Sequence, residues 1–161
     1  MMEPIRIVIL GSVAPYQKAV STWHARDGRS GTLAYDKKSY RDWRSYARGV
    51  AAEQMAERPV LEGAVEISVA IFKQIPASFS AKKRQLALRG ILRPITKPDC
   101  SNQLKAIEDA ALTGIVIRDD RCIVGVRMAK WFSDKPRVEI EVKPPVLPAA
   151  PGPLPLFGDS A

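Results

Sequence analysis

Residues 97–120 read KPDCSNQLKAIEDAALTGIVIRDD and bring together Asp99, Glu108, Asp109, Asp119 and Asp120, with Lys105 in their midst. Carboxylates spaced in this way suit Mg²⁺, which takes a few acidic oxygens and completes its octahedron with water and substrate phosphate. A cation so held acidifies its bound water and stabilises charge on phosphoryl oxygens. Asp99 at a helix start and Asp120 at a strand start can converge on one metal from two elements. Lys105, two turns into the same helix, can reach a scissile phosphate or neutralise the acids. The chemistry within reach of this set is phosphodiester hydrolysis.

The acids are conspicuous because the chain around them is basic. Its 161 residues carry a formal charge of +8 and a pI near 9.7. That balance favours polyanionic partners, nucleic acid foremost. Like charges packed together destabilise a fold unless something cationic lies between them, so the acidic segment itself asks for a cation. Hydrophobic residues make up 46% of the chain, as in an ordinary globule. No apolar run approaches the ~20 residues of a membrane span, and the start lacks an export-signal pattern. A cytoplasmic protein with Cys100 and Cys122 as free thiols is expected.

Length predicts one domain, 1–143, followed by a proline-rich tail, 144–161, expected to be disordered. IRIVIL at 5–10 reads as a strand. Residues 12–35 lose periodicity and read as a long basic loop or irregular hairpin holding the sole histidine, His24, as an exposed residue. Asp36 is placed to cap a helix over 37–57 with Tyr40, Trp43, Ala47, Val50 and Gln54 near one stripe. Period-two alternation marks 64–73 as a strand. Ser80 is an N-cap and Gly90 a stop for a short helix opening on Lys82, Lys83 and Arg84. Cations at a helix N-terminus oppose its dipole, so a phosphate nearby would account for them.

In the acidic segment, Asp99 or Ser101 caps a helix reaching Leu112, with Gly114 as its stop. Leu104, Ile107 and Ala111 form its buried stripe. Ser101, Asn102, Lys105, Glu108 and Asp109 occupy a neighbouring polar arc. Strands are expected over 115–117, 122–132 and 137–143, the last two joined by a turn at 133–136. The predicted class is α/β in the broad α+β sense: a mixed sheet with helices packed on it.

The ensemble KPDCSNQLKAIEDAALTG followed by IRDDRCIV resembles the signature of the RusA family of Holliday-junction resolvases, in its phage-type form. Upstream, IPASFSAKKRQLALRG, VAPYQK and YDKKSYRDW are similar to family segments in order and spacing. The resemblance spans about 5–142. It implies a homodimeric, Mg²⁺-dependent endonuclease (Mn²⁺ being the alternative cation) that nicks opposed strands of a four-way junction in recombination and repair. Such a protein is bacterial or phage-encoded. Carried over, Asp99 and Asp120 match metal-binding aspartates, with Asp119 the second member of its pair. Lys105 matches the lysine of catalysis and DNA contact. Asn102 and Asp109 match supporting positions.

One departure stands out. Ser101 occupies the position of the family's second aspartate, and a hydroxyl is a far weaker Mg²⁺ ligand than a carboxylate. Glu108 lies on the same helix face, seven residues on, and is expected to restore the missing acid. The expected metal triad is therefore Asp99, Glu108 and Asp120. Lys73, Lys82, Lys83, Arg84, Lys97, Lys105 and Lys130, with Arg93 and Arg127, are candidates for DNA phosphates. Phe79 or Trp131 could stack on bases at a junction centre, although Trp131 reads better as packing. PLPLF at 153–157 resembles motifs that dock on the sliding clamp. The competing reading is a DNA-binding protein of the same fold, weakened at Ser101. An RNA-binding module has only net charge behind it.

Overall fold

The computed structural model describes residues 3–16 and 18–146. Residues 153–157 lie outside the described residues. Strand β1, Ile5–Leu10, alternates buried and exposed residues along its whole length. The same half-buried alternation recurs in Val65–Gln74 and Arg137–Lys143. These strands (β4 and β6 below) present Val65, Ile67, Val69, Ile71, Val138, Ile140 and Val142 to one core together with Ile5, Ile7 and Ile9. Removing each such side chain from water contributes roughly 1.5–3 kcal/mol.

Residues 12–35 contain the hairpin that the sequence left open. β2, Lys18–His24, pairs antiparallel with β3, Ser30–Asp36, as a separate two-stranded ribbon. Helix α1 then runs Lys38–Met55 with Lys37 as its N-cap, and no side chain caps it. Asp36 is therefore not the cap; it ends β3, and its carboxylate lies 3.7 Å from Arg44. The buried stripe of α1 is Tyr40, Trp43, Ala47, Ala51 and Met55. Gln54 is not in that stripe. Its amide oxygen accepts the Val8 N–H at 2.9 Å, and its amide nitrogen donates to the Val8 carbonyl at 2.7 Å. The side chain acts as a strand partner for the edge of β1, where unpaired backbone would otherwise face solvent.

After β4 come α2, Ala81–Leu88, and α3, Cys100–Ile107. Ser80 caps α2 by accepting the Lys83 N–H, as expected. Gly90 ends the helix with φ +71°, and a Cβ there would lie 2.7 Å from the Trp131 ring. β5, Ile123–Ser133, and β6 follow, and the main sheet runs β1-β6-β4-β5. β6 lies between β1 and β4, antiparallel to both, whereas β4 and β5 are parallel. The short turn after β5 thus leads past β4, and β5 and β6 are not neighbours. No strand forms at 115–117. The N–H groups of Ile115, Val116 and Ile117 all return to the Leu112 carbonyl in a buried turn, with Ile117 bridging Leu61 and Thr113.

Helix α1 and the segment from α3 to Leu112 pack on one sheet face and share its core. Alanines at 47 and 51 of α1, and at 106, 110 and 111 of the later helix, are fully buried, small enough for the elements to pack closely. The opposite sheet face carries a cavity of about 460 Å³ bordered by Val8, Ala70, Arg127, Trp131, Glu139 and Glu141 among others. No helix among the described residues is long and apolar enough to cross a membrane.

Candidate active site

Parallel strands cannot be joined by a tight turn; they need a crossover. The crossover from β4 to β5 is the segment that carries α3 and the acids. Asp99 opens it as the N-cap of α3, its Oδ1 accepting the Asn102 N–H at 2.8 Å. From Glu108 to Leu112 the helix continues as a π turn, closed by the Thr113 N–H donating to the Glu108 carbonyl at 2.9 Å. A π turn carries one residue more than an α turn and re-aims the side chains on it, a device common at functional sites. Glu108 and Asp109 are its first two residues.

Lys105 Nζ lies 2.9 Å from Asp109 Oδ1. This hydrogen bond holds the Lys105 pKa above the usual range, and the charges of Glu108 and Asp120 reinforce it. The Glu108 carboxyl is half-buried, and that burial pushes its pKa up; Asp120 and Asp109 push the same way, and Lys105 opposes them. Asp120 itself is exposed, at the head of a 3₁₀ turn over Asp120–Cys122. Asp119 plays another part. It accepts the Arg121 N–H at 3.0 Å and the Arg121 guanidinium at 2.9 Å, which holds its carboxyl well below the usual range. One acid of the pair is thus tied to its own turn, while the charge of the other is felt by Lys105 and Glu108.

Asp99 does not share this cluster. It precedes Glu108 by nine positions, roughly 13 Å along a helix axis, and it borders a cleft of about 340 Å³ with Pro15, Lys97, Pro98 and Asn102. Ser101 is exposed beside it. Among the described residues, no group of three or more His, Cys, Asp or Glu side chains is placed to hold a metal ion. The expected triad of Asp99, Glu108 and Asp120 is accordingly split within one chain: Glu108 and Asp120 lie in electrostatic reach of each other, and Asp99 stands at the helix head. The donor chemistry still suits a hard divalent cation. The oxygens are carboxylates, those of Glu108 and Asp109 are partly buried, and Lys105 lies among the three acids.

Asn102 spans both parts of the fold. Its amide nitrogen donates to the Tyr16 carbonyl at 2.9 Å, fixing the segment that leads into the ribbon, while its Oδ1 is buried without a partner. Two of the cations expected at DNA phosphates are engaged here as well. Lys73 Nζ donates to Thr96 Oγ1 at 3.2 Å and to the Lys97 carbonyl at 3.1 Å. Lys130 Nζ donates to the carbonyls of Thr96 and Pro98 at 3.3 and 3.2 Å. Together they clamp the loop that delivers Asp99. Burial, and to a lesser degree the neighbouring Lys130 charge, lowers the Lys73 pKa. Nothing local in the sequence marks this role, since both lysines come from strands distant from the loop.

The remaining cations differ in their freedom. Lys82, Lys83 and Lys97 are exposed. Arg84 pairs with Asp134. Arg93 donates to the Lys130 carbonyl at 2.6 Å and covers the Trp131 ring at 3.3 Å. Trp131, wedged between that guanidinium and Gly90, is packed within its own chain. Phe79 meets Phe132 edge-on at 5.5 Å.

A mixed sheet whose parallel pair is bridged by a crossover bearing acids and a lysine on one helix surface defines an α+β fold with an acidic site in a basic chain. The model of the endodeoxyribonuclease RusA family matches residues 14–143, and the chain belongs to that family of Holliday-junction resolvases. It is also similar to the uncharacterized protein YqaN of Bacillus subtilis (strain 168), with 30% identity over 144 residues that cover 88% of this chain and 97% of the relative.

Proposed function

We propose that this protein is a Mg²⁺-dependent, structure-specific endodeoxyribonuclease that cleaves four-way DNA junctions as a homodimer. The observation that carries the reading is the convergence of Lys105, Glu108, Asp109 and Asp120 from the crossover helix and the turn before β5, within a segment that belongs to a resolvase family. A divalent cation, Mg²⁺ or Mn²⁺, supplies charge neutralisation at the phosphodiester and an acidified water. Glu108 and Asp120 would hold it, with Asp99 presenting a further carboxylate from the neighbouring cleft. Asp109 holds the Lys105 ammonium beside the acids, where it orients and neutralises a phosphate. Two equivalent strands at a junction call for two equivalent sites, which a symmetric dimer provides.

The competing reading, a branched-DNA-binding protein with little or no cleavage, is favoured by Ser101 and by the separation of Asp99 from the other acids. One assay distinguishes them. A synthetic four-way junction is incubated with protein and Mg²⁺ at several salt concentrations, with Asp120→Asn as control. Paired nicks that vanish in the variant support the nuclease. Salt-sensitive binding without nicks supports the binding protein.

A further inference from the structure

The β2–β3 ribbon forms a sheet separate from the main one and, among the described residues, carries an exposed aromatic face. Residues alternate sides along a strand, and the cross-strand register pairs Ala19 with Tyr35, Ser21 with Leu33 and Trp23 with Gly31. One side of the ribbon therefore bears Tyr35, Leu33 and Trp23, which are 49%, 62% and 51% exposed. Such a row is costly to leave in water and marks an interaction surface.

Trp23 is held in a particular pose. A Cβ built on Gly31 would lie 2.8 Å from each of Trp23 Cε2, Cζ2 and Nε1. Equal distances of that length to three adjoining ring atoms place the point off the ring plane. The indole thus lies with one face on the glycine, leaving its other face outward, and no side chain at 31 lifts it away. A flat, exposed indole is a stacking surface for a base.

The ribbon is also rooted at the site. The Tyr16 carbonyl, two residues before β2, is bonded by Asn102, and Pro15 borders the cleft beside Asp99. Its cations suit DNA: Lys18 at the root lies 5.9 Å from the Tyr16 ring, and the tip carries an exposed Arg26 next in sequence to Asp27, which pairs with Arg29.

We propose that this ribbon is the arm that reads the branch point, with Trp23 stacking on a base left unpaired there. In an intact duplex both faces of a base are covered, so such an arm favours branched over linear DNA. The proposal rests on the branched-DNA reading above and adds the surface that would give it structural selectivity.

The test measures anisotropy binding, without divalent metal, to a four-way junction, a linear duplex of equal length and a single strand. The junction carries 2-aminopurine at its branch point as a stacking reporter. Trp23→Thr keeps a good strand former and should leave the melting temperature unchanged. It is expected to weaken junction and single-strand binding about tenfold, in line with one lost stacking contact, to abolish 2-aminopurine quenching, and to leave duplex affinity within about twofold. Trp23→Phe should retain most of the quenching. Unchanged junction affinity and quenching in Trp23→Thr would overturn the stacking role even where junction binding is strong. So would an equal loss on all three DNAs, or conversion of a dimer to a monomer in sedimentation, which would assign the ribbon to the partner subunit. Wild-type protein that binds single strands through Trp23 but shows no junction preference would sink the junction reading and leave stacking in place. Protein that binds none of the three DNAs removes both.

Discussion

The Lys105 ammonium lies 2.9 Å from the carboxylate of Asp109, one helical turn on and at the start of the π turn. The lysine is thus held within electrostatic reach of Glu108 and Asp120. Its charge is positioned before any substrate arrives.

Removing the acceptor's charge should therefore matter for rate more than for affinity. Asp109→Asn is expected to lower Mg²⁺-dependent junction cleavage about tenfold, through a less well-placed lysine. Junction affinity without divalent metal should stay within about twofold. Loss of affinity with an unchanged cleavage rate on bound junction would contradict this role.

The clamp made by Lys73 and Lys130 predicts two kinds of lysine on one protein. Lys73→Met should cost roughly 1–3 kcal/mol in urea unfolding, because it strips partners from Thr96 and the Lys97 carbonyl. The salt dependence of DNA binding should not change. Lys83→Ala should leave stability within about 0.5 kcal/mol and reduce the slope of log affinity against log salt by about 1. Equal slope changes for the two variants would make Lys73 a phosphate contact instead.

Tyr40 supplies an alkaline marker of the core beneath the site. Burial pushes its phenol up to about 12, with Asp109 contributing in the same direction. The unfolded chain releases this proton near pH 10, whereas the folded chain keeps it. The resulting stability is complete below pH 10 and is lost as pH rises to about 12. Relative to Tyr40→Phe, the unfolding free energy should fall by roughly 2 to 3 kcal/mol across that window. Parallel pH profiles for the two proteins would show that the phenol titrates normally.

How far the sequence discloses this arrangement depends on whether a residue's role is local. β1, β4 and β6 are half-buried, so alternation marks them, and Asp99 and Ser80 cap their helices through bonds three residues away. The ribbon escapes because neither of its faces is buried, which leaves no hydrophobic period to read. The run at 115–117 misleads for the opposite reason: it is buried as a turn, and an apolar triplet does not distinguish a turn from a strand. The insertion of β6 between β1 and β4, and the Lys73–Lys130 clamp, are long-range contacts with no local sequence pattern. At the site, Lys105, Glu108 and Asp109 share a face as helical spacing requires. The π turn does not follow from that spacing.

The central claim is that Glu108 supplies the carboxylate that Ser101 does not. Mg²⁺-dependent nicking of a four-way junction by Glu108→Gln, beside the double variant Ser101→Asp/Glu108→Gln, tests it most directly. The account predicts roughly a hundredfold loss or more in the single variant, with junction binding intact, and at least partial recovery in the double variant. Near-normal nicking by Glu108→Gln would contradict it.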